Sequence, residues 1–142
     1  MGTIRAVCTS AEKGTGKRDA GMAELIAGRG LSGDAHAGEG DRQVSLLSLE
    51  KIDEFRASGA EVGYGDFGEN IVADGIDFAG LPAGTKLHCG GALLEITQIG
   101  KECRGRCAIF RSMGDCIMPR EGVFARVLRG GIIKTGDEIN AE

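Results

Sequence analysis

Three cysteines crowd into residues 101–116, in Lys101-Glu-Cys103-Arg-Gly-Arg-Cys107-Ala-Ile-Phe-Arg111-Ser-Met-Gly-Asp-Cys116. A thiol acts as a nucleophile, a sulfur carrier or a metal ligand through its thiolate, and nearby cations favour that form by lowering the pKa from about 8.5. Residues 101–120 hold Lys101, Arg104, Arg106, Arg111 and Arg120 against Glu102 and Asp115, a balance of +3 inside a chain of net charge −4. Cys103 and Cys107 therefore lie in a basic island of an acidic protein, the setting of a reactive thiol. Structural zinc fits this island poorly. The third cysteine falls nine residues beyond the second, there is no second Cys-x₂₋₄-Cys knuckle, and the surrounding cations oppose a dication. Cys8 and Cys89 fall in strand-like stretches and read as small buried hydrophobes.

Other residues could hold an anion. Gly14-Thr-Gly-Lys17 has the look of a phosphate loop, but Arg18 follows the lysine and no helix pattern stands behind it, so nucleotide hydrolysis is not implied. Lys13, Lys17 and Arg18 could contact an anion or form a solvated turn. His36, in Asp34-Ala-His36, suits a proton shuttle, a phosphate donor or a structural hydrogen-bonder. Arg42-Gln43 offers a planar fork and an amide, suited to a phosphate or a heterocycle edge, or to an ordinary surface pair.

The elements that must position these residues are mostly strands. Alternation over Thr3–Thr9 predicts a strand with Ile4, Ala6 and Cys8 on one face. Met22–Ile26 and Gln43–Leu47 read as further strands, and residues 28–41 as an aperiodic functional loop. Ser48 is expected to cap a helix over Leu49–Ala57, with Leu49, Ile52 and Phe55 as its apolar stripe and Gly59 as its end. A glycine-rich loop from Gly63 to Asn70 leads into a strand at Ile71–Ala73. Gly90-Gly91 joins Lys86–Cys89 to Ala92–Gln98 in one hairpin, and Gly130-Gly131 is expected to join Val123–Leu128 to Ile132–Ile133 in another. A last strand ends near Asn140, and a short helix is expected around Cys107–Arg111. The reading is mainly β: a mostly antiparallel barrel with one or two short helices.

Composition bounds the function. A chain of 142 residues with 42 % hydrophobic and 27 % charged residues suits one domain, 1–142, with a single core. Twenty-five glycines spread singly or in pairs suit many short strands and tight turns. No apolar run approaches the ~20 residues of a membrane span. The net negative charge and the few aromatic rings argue against nucleic-acid binding. An odd number of cysteines without a disulfide-scaffold spacing, and no secretory leader pattern, lead to an expected cytoplasmic location.

Taken in order, several blocks resemble the MOSC domain, the C-terminal domain of molybdenum cofactor sulfurases. They are Gly30-Leu-Ser-Gly-Asp34-Ala-His36-Ala-Gly, Arg42-Gln-Val-Ser-Leu-Leu47, Phe67-Gly-Glu69-Asn70-Ile, Gly100-Lys-Glu-Cys103 with Arg106-Cys107-Ala-Ile-Phe110, Gly114-Asp-Cys116-Ile-Met-Pro-Arg-Glu-Gly122 and Gly131 through Gly136-Asp-Glu-Ile139. The resemblance covers roughly residues 3–140 and implies a MOSC-type β-barrel with an anion-binding cleft for molybdopterin, a pterin phosphate, and a reactive cysteine at its edge. It matches the family's cysteine to Cys107 and makes Cys103 its companion. It implies a cofactor-binding set of Lys13, Lys17, His36, Arg42, Gln43, Asn70, Lys101, Arg104 and Arg106. The function implied is sulfur handling, with a persulfide carried on Cys107 or Cys103 and a sulfur-transferase type of activity. No pyridoxal-phosphate desulfurase domain is seen in the chain, so the expected partners are a cysteine-desulfurase-type sulfur donor and a molybdoenzyme or cofactor-synthesis acceptor. The alternative is a molybdenum cofactor carrier with Cys107 ligating the metal, and less so a small molybdenum reductase.

Overall fold

The computed structural model describes residues 2–10, 17–34, 43–57, 59, 63–65, 69–99 and 122–142. Its strands are β1 (Gly2–Thr9), β2 (Arg18–Asp19), β3 (Met22–Ile26), β4 (Gly30–Leu31), β5 (Val44–Ser48), β6 (Ile71–Asp74), β7 (Lys86–Cys89), β8 (Ala92–Ile99), β9 (Val123–Arg129), β10 (Gly131–Lys134) and β11 (Glu138–Ala141). One helix, α1, spans Leu49–Ala57, and a 3₁₀ turn spans Phe78–Gly80. Seven strands in the order β11-β7-β8-β9-β5-β6-β1 close on themselves when Gly2 and Thr3 pair with Ile139 and Glu138. Closure removes the exposed edges that an open sheet would present. The small sheet β10-β3-β4 adds Leu25, Leu31 and Ile133 to the core enclosed by the barrel.

Among the described residues, all strand pairings but one are antiparallel. β5 and β6 run parallel, and a parallel pair needs a crossover connection, which α1 supplies. This explains why the helix lies outside the barrel. Ile52 and Phe55 are buried there against Ala6, Cys8, Leu47, Val72 and Phe124, with Leu49 packed beside them, as the apolar stripe predicted. Gly59 N–H bonds to the Arg56 carbonyl and ends the helix, also as expected.

Four expectations need correction. Strand β1 does not alternate through its length. Its register against β6 shifts between Ile4 and Ala6, and the extra residue of such a bulge flips the faces that follow. Ile4 and Val7 therefore point into the barrel, while Ala6 and Cys8 face α1. Ser48 does not cap the helix, because its hydroxyl donates to the Ile76 carbonyl at 2.7 Å and accepts from Phe78 N–H at 3.2 Å. Residues 30 and 31 are strand rather than loop, since Leu31 pairs with Leu25 and is fully buried. Finally, β9 and β10 form no hairpin: β9 pairs with β8 and β5, and β10 pairs with β3. Gly130 permits this exchange, because a Cβ there would sit 2.5 Å from the Leu25 carbonyl of β3. The helix expected around Cys107–Arg111 lies outside the described residues.

Candidate functional site

At the end of β1 a polar network replaces the apolar core. Asp34 Oδ1 accepts from Lys17 Nζ at 2.7 Å and from Ser10 N–H at 3.0 Å, and both charged side chains are completely shielded from solvent. Lys17 Nζ also lies 3.4 Å from Ser10 Oγ, and Lys17 N–H donates to the Gly65 carbonyl at 2.8 Å. Gly65 is required there: at φ +89° its missing side chain lets the Lys17 carbonyl pass where a Cβ would be. Burial pushes the Asp34 carboxyl up. The Lys17 ammonium, Ser10 N–H and Asn70 amide more than offset this and hold it below its ordinary 3.8. Asp34 is thus an anion paired with a cation, and Lys17 is not a solvated turn residue.

Asn70 is the second node. Its Nδ2 donates to the Cys8 carbonyl at 3.0 Å and its Oδ1 accepts from Ser45 N–H at 2.9 Å. Its own N–H donates to the Ser45 carbonyl, and its carbonyl accepts from Cys8 N–H. One buried amide therefore ties β1 to β5 where β6 begins. Gln43 extends the β5–β9 ladder with its side chain, since its Oε1 accepts from Val127 N–H at 2.9 Å. Glu69 is fully buried next to Asn70.

Two residues further along β5, Ser45 faces outward with Gln43 and Leu47, opposite Phe124 of β9. It is 6 % exposed, and its Oγ finds no hydrogen-bond partner among the described residues. The sequence pointed to Gln43 but not to Ser45, although period-2 alternation puts both on one face of the strand. Nothing in the sequence signalled that Lys17 and Asp34, seventeen positions apart, would meet.

Of the predicted site residues, Lys17, Gln43 and Asn70 are described, and they hold the frame. Lys13, His36, Arg42, Lys101, Cys103, Arg104, Arg106 and Cys107 lie outside the described residues. Their segments are nonetheless rooted in described positions. Segment 11–16 leaves Ser10 and returns at Lys17, and segment 35–42 leaves Asp34, so both start from one carboxylate. Segment 100–121 leaves Ile99 and returns at Gly122, beside the paired Ile99 and Val123. Val123 pairs with Leu46, Leu46 with Ile71 and Ile71 with Val7, so one row of the barrel runs from the root of segment 100–121 to Val7, in the strand that ends next to Ser10. Both described cysteines are buried. Burial, reinforced by the Asp137 charge, pushes the Cys89 thiol up to about 12.

This frame is that of a known family. The MOSC domain model matches residues 33–140, and the chain belongs to the MOSC domain family, which is associated with the molybdenum cofactor. The matched stretch includes His36, Arg42, Cys103 and Cys107. Among solved structures, the YuaD protein of Bacillus subtilis is 20 % identical with a TM-score of 0.79, over 98 % of this chain and 94 % of that one. YiiM of Geobacillus stearothermophilus is 18 % identical with a TM-score of 0.78, over 100 % and 75 %. YiiM of Escherichia coli is 19 % identical with a TM-score of 0.64, over 99 % and 69 %. At these identities the likeness is one of fold. No curated protein matches the chain. No helix among the described residues is long and apolar enough to cross a membrane.

Proposed function

We propose that this protein handles sulfur for the molybdenum cofactor, holding the cofactor's pterin phosphate in a cationic cleft and carrying sulfur on Cys107 or Cys103. The observation that carries the reading is the fate of the cysteines. Of the chain's five, Cys8 and Cys89 are sealed in the core, which leaves the three of the basic island for thiol chemistry. The pterin phosphate would be held by Lys13, His36, Arg42, Lys101, Arg104 and Arg106. Lys17, Gln43 and Asn70 contribute by fixing the segments that carry them. The row from Ile99 to Val7 crosses four strand pairings, about 19 Å along the curved sheet.

In the sulfur step, the Cys107 thiolate attacks the terminal sulfur of a donor persulfide. The donor S–S bond breaks, the donor leaves as a thiolate, and the protein holds the sulfur as Cys107 persulfide with no net redox change. A cysteine-desulfurase-type protein is the donor this reading requires, and a molybdoenzyme or cofactor-synthesis protein the acceptor. Attack of the Cys103 thiolate on Cys107 Sγ would release hydrosulfide and leave a disulfide, which a cellular dithiol then reduces. The second reading is a cofactor carrier in which Cys107 ligates molybdenum, for which a soft thiolate is suited.

Native mass spectrometry of protein purified from cells with cofactor synthesis intact separates the two. A +32 Da adduct mapped to Cys107 or Cys103 supports sulfur transfer. Tightly bound molybdopterin without that adduct supports the carrier, and neither species would overturn both.

A further inference from the structure

We infer that the outer face of the small sheet β10-β3-β4 is a docking surface for a second copy of this chain, met across a two-fold axis. β3 and β10 pair antiparallel, with Ile132 opposite Glu24 and Lys134 opposite Met22. Residues opposite each other share a face, and successive residues along a strand change face. Ala23, Leu25 and Ile133 take the inner side, where they join the barrel core. Met22, Glu24, Ile26, Ile132 and Lys134 take the outer side, and all five are exposed. An antiparallel sheet with one face on a core normally turns polar residues to water on the other. Here three of the five outward residues are apolar, with Met22 55 % exposed, Ile132 59 % and Ile26 37 %. Five large hydrophobic residues are exposed among the described residues, and this one small face holds three of them.

The pattern of charge on the face selects the occupant. Met22, Lys134, Ile132 and Glu24 stand at the corners of one tile, apolar residues on one diagonal and opposite charges on the other. When two such tiles meet face to face about a two-fold axis along the apolar diagonal, Met22 and Ile132 each meet their own counterpart. The same rotation sets Glu24 of each copy against Lys134 of the other, so the ion pair forms twice. A two-fold contact requires this self-complementarity, in which residue i meets j and j meets i. Both charges are available for it, since neither side chain forms an ion pair among the described residues. The face rests on strands of five and four residues. That is smaller than the ~800 Å² per partner of a standard interface, so the dimer is a weak one that forms as concentration rises.

Sedimentation of the full chain at concentrations from about 1 μM to about 1 mM, the range of weak association, tests this. Wild type should pass from monomer toward dimer across the series. Glu24→Lys or Lys134→Glu alone turns both ion pairs into like-charge contacts and should weaken self-association about tenfold or more. Two-fold geometry makes a sharper demand. An equimolar mixture of those two variants should associate as well as wild type, because every contact between unlike variants is again one of opposite charge. The double variant carrying both changes should recover for the same reason. Ile132→Asp should abolish the dimer. All three positions are exposed, so each variant should keep the wild-type melting temperature. A wild type that stays monomeric at the highest concentration would overturn the inference and leave the face to a different protein. A dimer indifferent to the charge changes would overturn it as well, by placing the contact elsewhere. Weakened single variants that do not recover when mixed would overturn the two-fold pairing, and with it the choice of a second copy as the occupant.

Discussion

A lysine and an aspartate, each fully shielded and 2.7 Å apart, dominate the residue scale. Removing either leaves an uncompensated buried charge, whereas replacing both with apolar residues of similar volume can be neutral. Lys17→Met should therefore cost about 3–5 kcal/mol, and the double variant Lys17→Met with Asp34→Leu should recover most of that loss in urea titrations. The pair also sets an acid limb. Because the folded Asp34 carboxyl is depressed, its stabilisation is present above its ordinary 3.8 and fades as pH falls through the lowered folded value. Thermal melts through that range should show wild type losing stability faster than Asp34→Asn, and parallel curves would sink the assignment. The thiols divide on the same physics. Cys89, held at about 12, stays protonated at neutral pH, and buried Cys8 is shielded. Alkylation mapped by mass spectrometry should mark Cys103 or Cys107 first, below pH ~8, with Cys8 and Cys89 last.

Among the elements, α1 is the part whose removal is easiest to predict. Ile52 is fully buried between the helix and the outer barrel wall, so Ile52→Ala should destabilise by about 2–5 kcal/mol without touching the barrel interior. Loss of stability with unchanged pterin phosphate binding is the expected pair of results, because no candidate donor lies on α1. The strand exchange at Gly130 is a second such point. A Cβ there meets the Leu25 carbonyl, and backbone cannot give way as a flexible side chain does. Gly130→Val should thus loosen the β10-β3-β4 sheet, read as faster amide exchange at Leu25 and Ile133 than at Leu46.

For the whole molecule, closure is the deciding feature. The pairing of β1 with β11 turns a seven-strand sheet into a barrel whose interior gathers Ile4, Val7, Val44, Leu46, Ile71, Leu94, Val123 and Ile139. Opening any one seam exposes that whole core, so the barrel should exchange its amides as one cooperative unit. Hydrogen exchange is expected to be slowest in β5, β6 and β9 and fastest in the two-residue strands β2 and β4. Early exchange of β5 ahead of β4 would contradict a closed barrel. Arg42→Ala and Lys101→Ala belong at this scale too, since they probe two segments, 35–42 and 100–121, that are far apart in the chain. Each should weaken pterin phosphate binding about ten- to a hundredfold with little change in melting temperature. Wild-type binding by both variants at low salt would leave the cleft without support.

Local signals in the sequence were enough for the elements whose causes are local. Alternation and glycine turns placed the strands at 22–26, 86–89 and 92–98, the last of which the fold extends to Ile99, and a stripe spaced for a helix placed α1 with its boundaries and its buried face. The thiol-and-cation island is a reading of residue types and spacing, and it lies outside the described residues. What required the tertiary structure were pairings between distant segments. Strand β10 leaves β9 for β3, Ser48 turns its hydroxyl to Ile76 and Phe78 instead of the helix it precedes, and the β1 bulge sends Cys8 to the outer wall. Lys17 and Gln43 read as candidate anion contacts, yet in the fold one neutralises Asp34 and the other completes a ladder. A side chain's chemistry is written in its type. Whether it is spent on the protein or kept for a ligand depends on which partners folding brings within about 3 Å of it.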